Sequence, residues 1–428
     1  MKLYERTLPK LNEKYRYVKH PSGLEIYFLP KDFPDYFISI AAKFGSFIRT
    51  LAGEPIPDGT AHYLEHLLFR MPDGSDASDA FSEMGAYVNA WTTNEYTMYF
   101  STGTEHKYRV LELLLRMVTE PSFTREAVEH ERDIITQELN IYADQPANAL
   151  YLATMEALYR EHPIRIDVGG TPATIQAIDD ALLHRLYEAY YRPSNLVMVV
   201  GGKFQAKRVL GIVDRILGCK PYAPTPLTLP NGEPMPECTV HRQITADVVT
   251  DHLMLAFRDP VILSGADQSK RGYTADIACR LIFGKAGELY HALYEGELCH
   301  RNLSALYEWA DGCGHILIKT KSDRTADAIR YLTDYLLHIR DHMPSEERFL
   351  RERNNIYADT IRMFDSLEDI CISFMEETIG DCDLFDLPER ILSITYSDFC
   401  RFINEVIAKN PTAIIEMHPN EKKAKESL

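Results

Sequence analysis

The sequence predicts an α+β protein made of two similar halves, each a sandwich of helices on a sheet, joined by a proline-rich linker. Strand-like and helix-like segments alternate along all 428 residues. A cluster of prolines interrupts the chain near its middle. The order of a helix, a proline and an apolar strand also occurs near the end of each half, as expected for a duplicated unit.

The proline cluster marks a predicted domain boundary. Proline cannot donate a backbone hydrogen bond, so it does not continue a helix or a central strand. We therefore predict an N-terminal domain at residues 1–219, a linker at 220–237, and a C-terminal domain of similar fold at 238–428. The linker prolines are Pro221, Pro224, Pro226, Pro230, Pro234 and Pro236.

The repeated element order suggests an internal duplication. In the first half, residues 182–191 have helical spacing, and a proline and the apolar run 196–200 follow. In the second half, residues 399–407 are helix-like, and a proline and the run 412–417 follow. The alternative is coincidence, because this element order is common in α/β folds.

Other segments have clear periodicity. The predicted strands cover residues 24–29 and 36–44, and a hairpin joins 88–91 to 96–101. The predicted helices cover residues 124–142, capped by Thr124, and then 325–341 and 346–375.

Composition excludes several classes of function. The chain has 63 acidic and 46 basic residues, for a net charge of −17. Such a surface repels nucleic acid and anionic lipid, so we expect neither as a partner. No apolar run reaches the roughly 18 residues of a membrane span, and no signal peptide is evident.

The cysteines indicate a reducing compartment. All eight lie in the second half, and none forms a CxxC pair. This pattern fits neither a disulfide framework nor a zinc ribbon. We therefore expect free thiols and a cytoplasmic location.

The decisive motif is H-x-x-E-H at His62, Glu65 and His66. Residues four apart share one helix face, so both imidazoles can reach one metal ion. Glu65 lies on the same side and can face water without being a ligand. We expect Asp58 or Thr60 to cap this helix.

A catalytic zinc needs a third protein ligand. The predicted helix at 124–142 carries Glu129, Glu131 and Glu138. Glu131 and Glu138 are two turns apart on one face, so one could bind metal while the other supports it. The residues alone leave this choice open.

Several stretches then resemble the pitrilysin/insulinase family of zinc metallopeptidases, particularly its mitochondrial-processing-peptidase branch of short chains. The likeness covers almost all of the first half by motif, whereas in the second half it is architectural. The stretches that carry it are 59–69, 89–92, 130–138, His162-Pro163, Gly169-Gly170-Thr171 and 191–195.

The resemblance implies an active site. By it, His62, His66 and Glu138 would bind one Zn²⁺ per chain, and Glu65 would be the general base. Glu131 would be a second catalytic glutamate beside the site. The alternative for Glu131 is a solvated helix face.

The resemblance also implies a substrate strand at Asn89, Ala90 and Trp91. There a peptide would add as an extra β-strand, with main-chain bonds that tolerate many sequences. The alternative is an ordinary core hairpin. The implied function is a zinc endopeptidase for short unfolded peptides or leader peptides.

Family members work in a chamber built from two such chains or from one double-length chain. We therefore expect a second protomer, and favour an unlike, non-catalytic paralogue over a homodimer. The family places an Arg and a Tyr in the second half. Arg301 and Tyr307 are the nearest candidates here, but we favour reading them as a surface Arg and a strand Tyr, so the non-catalytic partner would supply the pair. The alternative function is a non-catalytic core or scaffold subunit.

Overall fold

The computed structural model describes residues 2–71, 74–223 and 225–420. The strands are β1 Tyr4–Leu8, β2 Glu13–Lys19, β3 Glu25–Leu29, β4 Tyr36–Ala42, β5 Thr50–Leu51, β6 Glu54–Pro55, β7 Tyr87–Thr92, β8 Thr97–Gly103, β9 Leu196–Gly201, β10 Val240–Ala246, β11 His252–Arg258, β12 Ser304–Ala310, β13 Cys313–Lys321 and β14 Ala413–Pro419. The helices are α1 Thr60–Leu67, α2 Ala77–Glu83, α3 Lys107–Thr119, α4 Arg125–Ala143, α5 Pro146–Leu158, α6 Pro172–Gln176, α7 Asp180–Tyr190, α8 Ala206–Leu217, α9 Gly265–Phe283, α10 Glu288–Glu295, α11 Thr325–Leu337, α12 Glu346–Met363, α13 Leu367–Ile379, α14 Leu387–Leu392 and α15 Tyr396–Phe402.

The chain packs into two compact units. Unit 1 contains the described residues up to Leu139, together with Asp167–Leu229 and Ile361–Asp386. Unit 2 contains Asn140–Ile166, Pro230–Thr360 and the described residues from Leu387 onward. These units are defined by packing, and each includes a segment from the other half of the sequence. The linear domains 1–219 and 238–428, with a linker at 220–237, stay a prediction.

Each unit is built around one sheet. The unit 1 sheet has the order β1-β2-β3-β9-β4-β8-β7, and the unit 2 sheet has the order β10-β14-β11-β13-β12. Each sheet contains one parallel pair, β3 with β9 in unit 1 and β10 with β14 in unit 2. In each sheet, the three pairings that follow in the strand order are antiparallel. The same order and directions in both units confirm the two-halved α+β fold and the repeated helix, proline and strand.

The core of unit 1 lies on the two faces of its sheet. Strands β4 and β9 are central, and every residue in both is buried. Helix α13 packs against β9 and β4. Helix α1 packs against β7, β8 and α7, and its Tyr63, Leu64 and Leu67 are fully buried. Burial of a leucine side chain contributes about 1.5–3 kcal/mol, so these residues fix the helix firmly.

The core of unit 2 follows the same plan. Helix α5 packs against β10, β14 and β11, and α9 packs against β12. Strand β11 is buried along its whole length, like its counterpart β4 in unit 1.

The predicted helix at 346–375 was wrong in its extent. The structure has two helices, α12 and α13, and Ser366 separates them. Ser366 adopts an extended backbone and its side chain accepts a hydrogen bond from the Asp369 amide, which starts α13 anew. Serine competes for backbone hydrogen bonds in this way, so it favours helix caps over helix interiors.

Most other predicted elements are confirmed. The hairpin is formed by β7 and β8, and α4 ends at Ala143 with Thr124 accepting a hydrogen bond from the Ala127 amide. None of the eight cysteines, all of which lie among the described residues, forms a disulfide, and four of them are buried. Among the described residues, no helix has the length and apolar character that a bilayer crossing requires.

Candidate metal centre

The helix that carries the motif begins at a glycine. Gly59 precedes α1 with a φ of 89°, and no side chain caps the helix. The predicted caps were therefore wrong: Asp58 pairs with Arg49, and the Thr60 hydroxyl donates to the Pro57 carbonyl. A Cβ on Gly59 would collide with the Gly169 carbonyl oxygen, so this close approach needs glycine.

Three predicted residues meet at one point of unit 1. His62, His66 and Glu138 each offer a ligand atom, and these atoms lie within 4.8 Å of one another. The Glu138 Oε2 atom is 3.3 Å from His66 Nε2 and 3.9 Å from His62 Nε2. The two imidazole rings lie one turn apart with centroids 4.7 Å from each other. Among the described residues, this is the one such cluster.

The two histidines have opposite electrostatic surroundings. Burial, together with the neighbouring His66, lowers the pKa of His62 to about 4. Burial would also lower the pKa of His66, but Glu131 and Glu138 outweigh it and raise that pKa to about 9. His62 is therefore neutral near pH 7, as a ligand must be, and His66 would release a proton on binding a metal.

Glu65 lies on the same helix with its carboxylate enclosed. Its exposed fraction is 9%, and the Thr92 hydroxyl donates a 2.6 Å hydrogen bond to its Oε2 atom. Burial raises the pKa of Glu65, and the Thr92 hydrogen bond opposes that change. The Glu65 carboxylate is thus held in place by a side chain of β7, the edge strand of the unit 1 sheet.

Glu131 lies behind His66. It is 4% exposed, so it does not occupy a solvated helix face. Its Oε1 atom accepts a 2.7 Å hydrogen bond from Arg70 Nε, and its Oε2 atom is 3.4 Å from His66 Nδ1. Burial would raise the pKa of Glu131, but His66 and Arg70 together hold it below its usual value. Glu131 can therefore orient His66, whose other nitrogen faces Glu138.

The predicted substrate strand lies at the edge of the sheet. Asn89, Ala90 and Trp91 belong to β7, which pairs with β8 on one side and is the last strand in the order. The Asn89 Oδ1 atom accepts a hydrogen bond from the Ala90 amide, and the Trp91 ring packs against Phe100. An edge strand can accept a further strand, unlike the core hairpin considered as the alternative.

The candidate residues Arg301 and Tyr307 of unit 2 bond to different partners. Tyr307 is 9% exposed, and its hydroxyl donates to Asp259. Arg301 instead donates to the hydroxyl of Tyr294 through two nitrogen atoms, and the Arg301 side chain is exposed. Tyr307 is therefore a buried structural residue rather than a residue that a peptide could reach.

The residues at the centre fit a zinc ion. Two imidazoles and one carboxylate form a three-residue ligand set typical of catalytic zinc, which keeps one position open. The neutral state of His62 and the carboxylate behind His66 are the further features that such a site needs.

Sequence reasoning missed two residues of this centre, Arg70 and Thr92. Arg70 follows His66 by four residues, but α1 ends at Leu67, so helical spacing does not place the Arg70 side chain. Thr92 ends the stretch that resembles the family's strand, but nothing in the sequence linked its hydroxyl to Glu65. That contact depends on how β7 packs on α1.

A duplicated α+β fold with an inverted H-x-x-E-H helix and a distant glutamate defines the inverzincin class of metallopeptidases. The comparisons with known proteins agree. The family model described as Insulinase (Peptidase family M16) matches residues 52–171, and that described as Peptidase M16 inactive domain matches residues 177–356. The chain belongs to the insulinase family, peptidase family M16.

A curated relative extends this likeness over almost the whole chain. The chain is 30% identical over 422 residues to YmfH of Bacillus subtilis, an uncharacterised zinc protease, covering 96% of this chain and 98% of that protein. It is 25% identical over 292 residues to the uncharacterised zinc protease ML0855 of Mycobacterium leprae, covering 66% of this chain and 64% of that one.

Solved structures show the same fold. An M16-like peptidase of Alicyclobacillus acidocaldarius has a TM-score of 0.88 at 24% identity and covers 95% of this chain and 99% of that chain. The periplasmic protease PqqL of Escherichia coli has a TM-score of 0.76 at 18% identity. This chain covers 48% of PqqL, so the PqqL chain is about twice as long.

Proposed function

We propose that this chain is a zinc-dependent endopeptidase that hydrolyses short, unfolded peptides or leader peptides. The observation that carries the proposal is the convergence of ligand atoms of His62, His66 and Glu138 within 4.8 Å of one another. Glu65 lies on α1 between the two histidines. The names of the relatives, which are zinc proteases, support the same reaction class.

His62, His66 and Glu138 would hold one Zn²⁺ per chain. When bound, zinc would polarise the scissile carbonyl and make the attacking water more acidic. Glu65 takes the proton from that water on its carboxylate and returns it to the leaving amine. Glu131 keeps the proton of His66 on Nδ1, so the Nε2 lone pair is free for the metal.

The substrate would bind as an added strand along β7. The outward backbone groups at Asn89, Ala90 and Trp91 would pair with the peptide main chain. Such pairing needs an extended segment, so folded proteins would be excluded. It also depends little on side chains, which suits a peptidase of broad specificity.

We propose that a second protomer completes the chamber, and that it is an unlike, non-catalytic paralogue. The length of PqqL, which spans two such chains, supports a two-chain arrangement. Tyr307 is buried against Asp259, which supports the view that another chain supplies the Arg and Tyr. The free cysteines support a cytoplasmic location, which is part of the proposal.

The central experiment combines metal content with cleavage. The wild type and Glu65→Gln should both bind about one zinc, while Glu65→Gln cleaves an unstructured fluorogenic peptide about 10²- to 10⁴-fold more slowly. Protein purified alone and with its co-purifying partner should be compared, because a heteromer is active only when both are present. Wild-type protein that binds no zinc would support the scaffold alternative instead.

A further inference from the structure

We propose that Thr92 is a positioning residue that ties the orientation of the Glu65 carboxylate to the position of the edge strand β7. The inference rests on the proposed function, because it concerns the group that handles the proton. Thr92 would not touch the peptide or the metal. Its effect on the reaction would pass through Glu65.

The first support is the geometry of the contact. The Thr92 Oγ1 atom donates to Glu65 Oε2 at 2.6 Å, a short distance that is typical of a hydroxyl bound to a charged carboxylate. The neighbouring Thr97 hydroxyl lies 3.3 Å from that of Thr92 and donates to the Phe44 carbonyl at 2.9 Å. With the proton of Thr97 used on Phe44, the proton of Thr92 is available for Glu65.

The second support is the environment of Glu65. Glu65 is 9% exposed, so few water molecules can reach its carboxylate oxygens. A carboxylate in such surroundings would turn away toward water unless a donor held it. The Thr92 hydroxyl is such a donor, so it keeps the carboxylate in one orientation.

The third support is the place of Thr92 in the chain. It is the last residue of β7, two residues after Ala90, and it pairs with Thr97 across the hairpin. Side chains alternate along a strand, so Ala90 and Thr92 point to the same face, toward α1. A small shift of β7 would lengthen the bond to Glu65, so strand position and base orientation are coupled.

The activity test uses Thr92→Val, which removes the hydroxyl and keeps the shape. We expect kcat to fall roughly ten- to hundredfold, because a hydrogen bond to a charged group is lost. KM and zinc affinity should stay close to wild type, and Thr92→Ser should recover most of the activity. The control is Thr102→Val in the same hairpin, which removes a hydroxyl bonded to the Tyr36 carbonyl.

A second measurement does not depend on catalysis. Urea unfolding of the metal-free wild type, Thr92→Val, Glu65→Met and the double variant forms a mutant cycle. We expect the two substitutions to be non-additive by roughly tenfold in the folding equilibrium constant, as for a buried bond to a charged group. Thr102→Val combined with Glu65→Met should be additive.

The outcomes separate this inference from the proposed function. Additive effects of Thr92→Val and Glu65→Met, or a folded Thr92→Val protein with wild-type kcat, would overturn the positioning role. An equal loss of kcat in Thr92→Val and Thr102→Val would also overturn it, since that points to general hairpin damage. A wild type that binds zinc but cleaves nothing would contradict the proposed function, and the unfolding cycle would still decide whether Thr92 holds Glu65.

Discussion

At the scale of single residues, the candidate metal centre has a second layer of charged side chains next to its ligands. Arg70 holds the buried Glu131, and Glu131 faces His66 Nδ1 at 3.4 Å. Each polar group in this line has a partner of opposite charge, which offsets the cost of burying it. The orientation of His66 therefore depends on a side chain that would not itself contact the metal.

The first prediction concerns Arg70. Arg70→Gln should weaken zinc binding at least about tenfold, because loss of the partners behind metal ligands typically costs 10- to 100-fold in affinity. Competition with a chromophoric chelator measures this directly. Arg116→Gln, which breaks exposed pairs with Glu112 and Glu120, is the control and should bind like wild type. An unchanged affinity in Arg70→Gln would contradict the support role.

The second prediction concerns the glycine at the start of α1. Gly59 and Gly53 both have positive φ, of 89° and 85°, but only Gly59 has a backbone atom where a Cβ would go. Gly53→Ala should cost about 1–2 kcal/mol of stability for the left-handed backbone alone. Gly59→Ala should cost clearly more, because it also pushes against Gly169. Urea unfolding of the two variants tests this, and equal losses would refute the role of the close approach.

At the scale of elements, α13 packs on β9 and β4 and covers one face of the unit 1 sheet. Gly201 at the end of β9 lies against this helix, and a Cβ there would collide with the Cys371 sulfur and meet Leu367. Interiors are close-packed, so there is no free space to absorb an extra methyl group.

The third prediction follows from that contact. Gly201→Ala should destabilise the protein by about 1–3 kcal/mol through overpacking. The matched change is Gly211→Ala in α8, where nothing lies within 4 Å of the added Cβ. That change should stabilise by about 0.5–1 kcal/mol, because alanine favours the helix more than glycine does. Opposite signs in denaturant midpoints are expected, and a stable Gly201→Ala would show that α13 packs loosely.

The elements also show what the sequence could and could not predict. Periodicity and caps identified β3, β4, the β7–β8 hairpin and α4, because these depend on local spacing. The break at Ser366 was missed, since a single serine is an equally good helix-surface residue until its backbone turns. The placement of α13 in unit 1 could not be predicted at all, because it rests on contacts between residues far apart in the chain.

The candidate site also has features that the sequence predicted and features that it did not. The spacing of His62, Glu65 and His66 on one helix was enough to predict a shared face. The third ligand was narrowed to Glu131 or Glu138 by spacing, and only the resemblance favoured Glu138. Thr92 and Arg70 form hydrogen bonds to residues far away in the sequence, Glu65 and Glu131. The periodicity of a single element gives no information about such contacts.

At the scale of the whole molecule, metal binding and folding are linked. An ion that binds the folded chain and not the unfolded chain stabilises it by mass action, by about 2.7 kcal/mol at a hundredfold excess over Kd. The ligands of the proposed site come from α1 and from the part of α4 that belongs to unit 1, so the ion would join two elements that are distant in the sequence.

The fourth prediction tests this linkage. Zinc should raise the thermal midpoint of the wild type in a concentration-dependent way, and a chelator should reverse it and abolish peptide cleavage. Glu138→Gln should show little or no shift at the same zinc concentrations, because one of three ligands is lost. An equal shift in Glu138→Gln would mean that zinc binds elsewhere, and would refute the assigned ligand set.

The composition of unit 1 has a consequence for synthesis on the ribosome. Its sheet is covered on one side by α13, which is translated only after most of the chain has emerged. Until then, apolar residues of β4 and β9 face water on that side, which favours aggregation and recruits chaperones. His62 and His66 of a nascent chain thus leave the ribosome long before the segment that completes unit 1 has been translated.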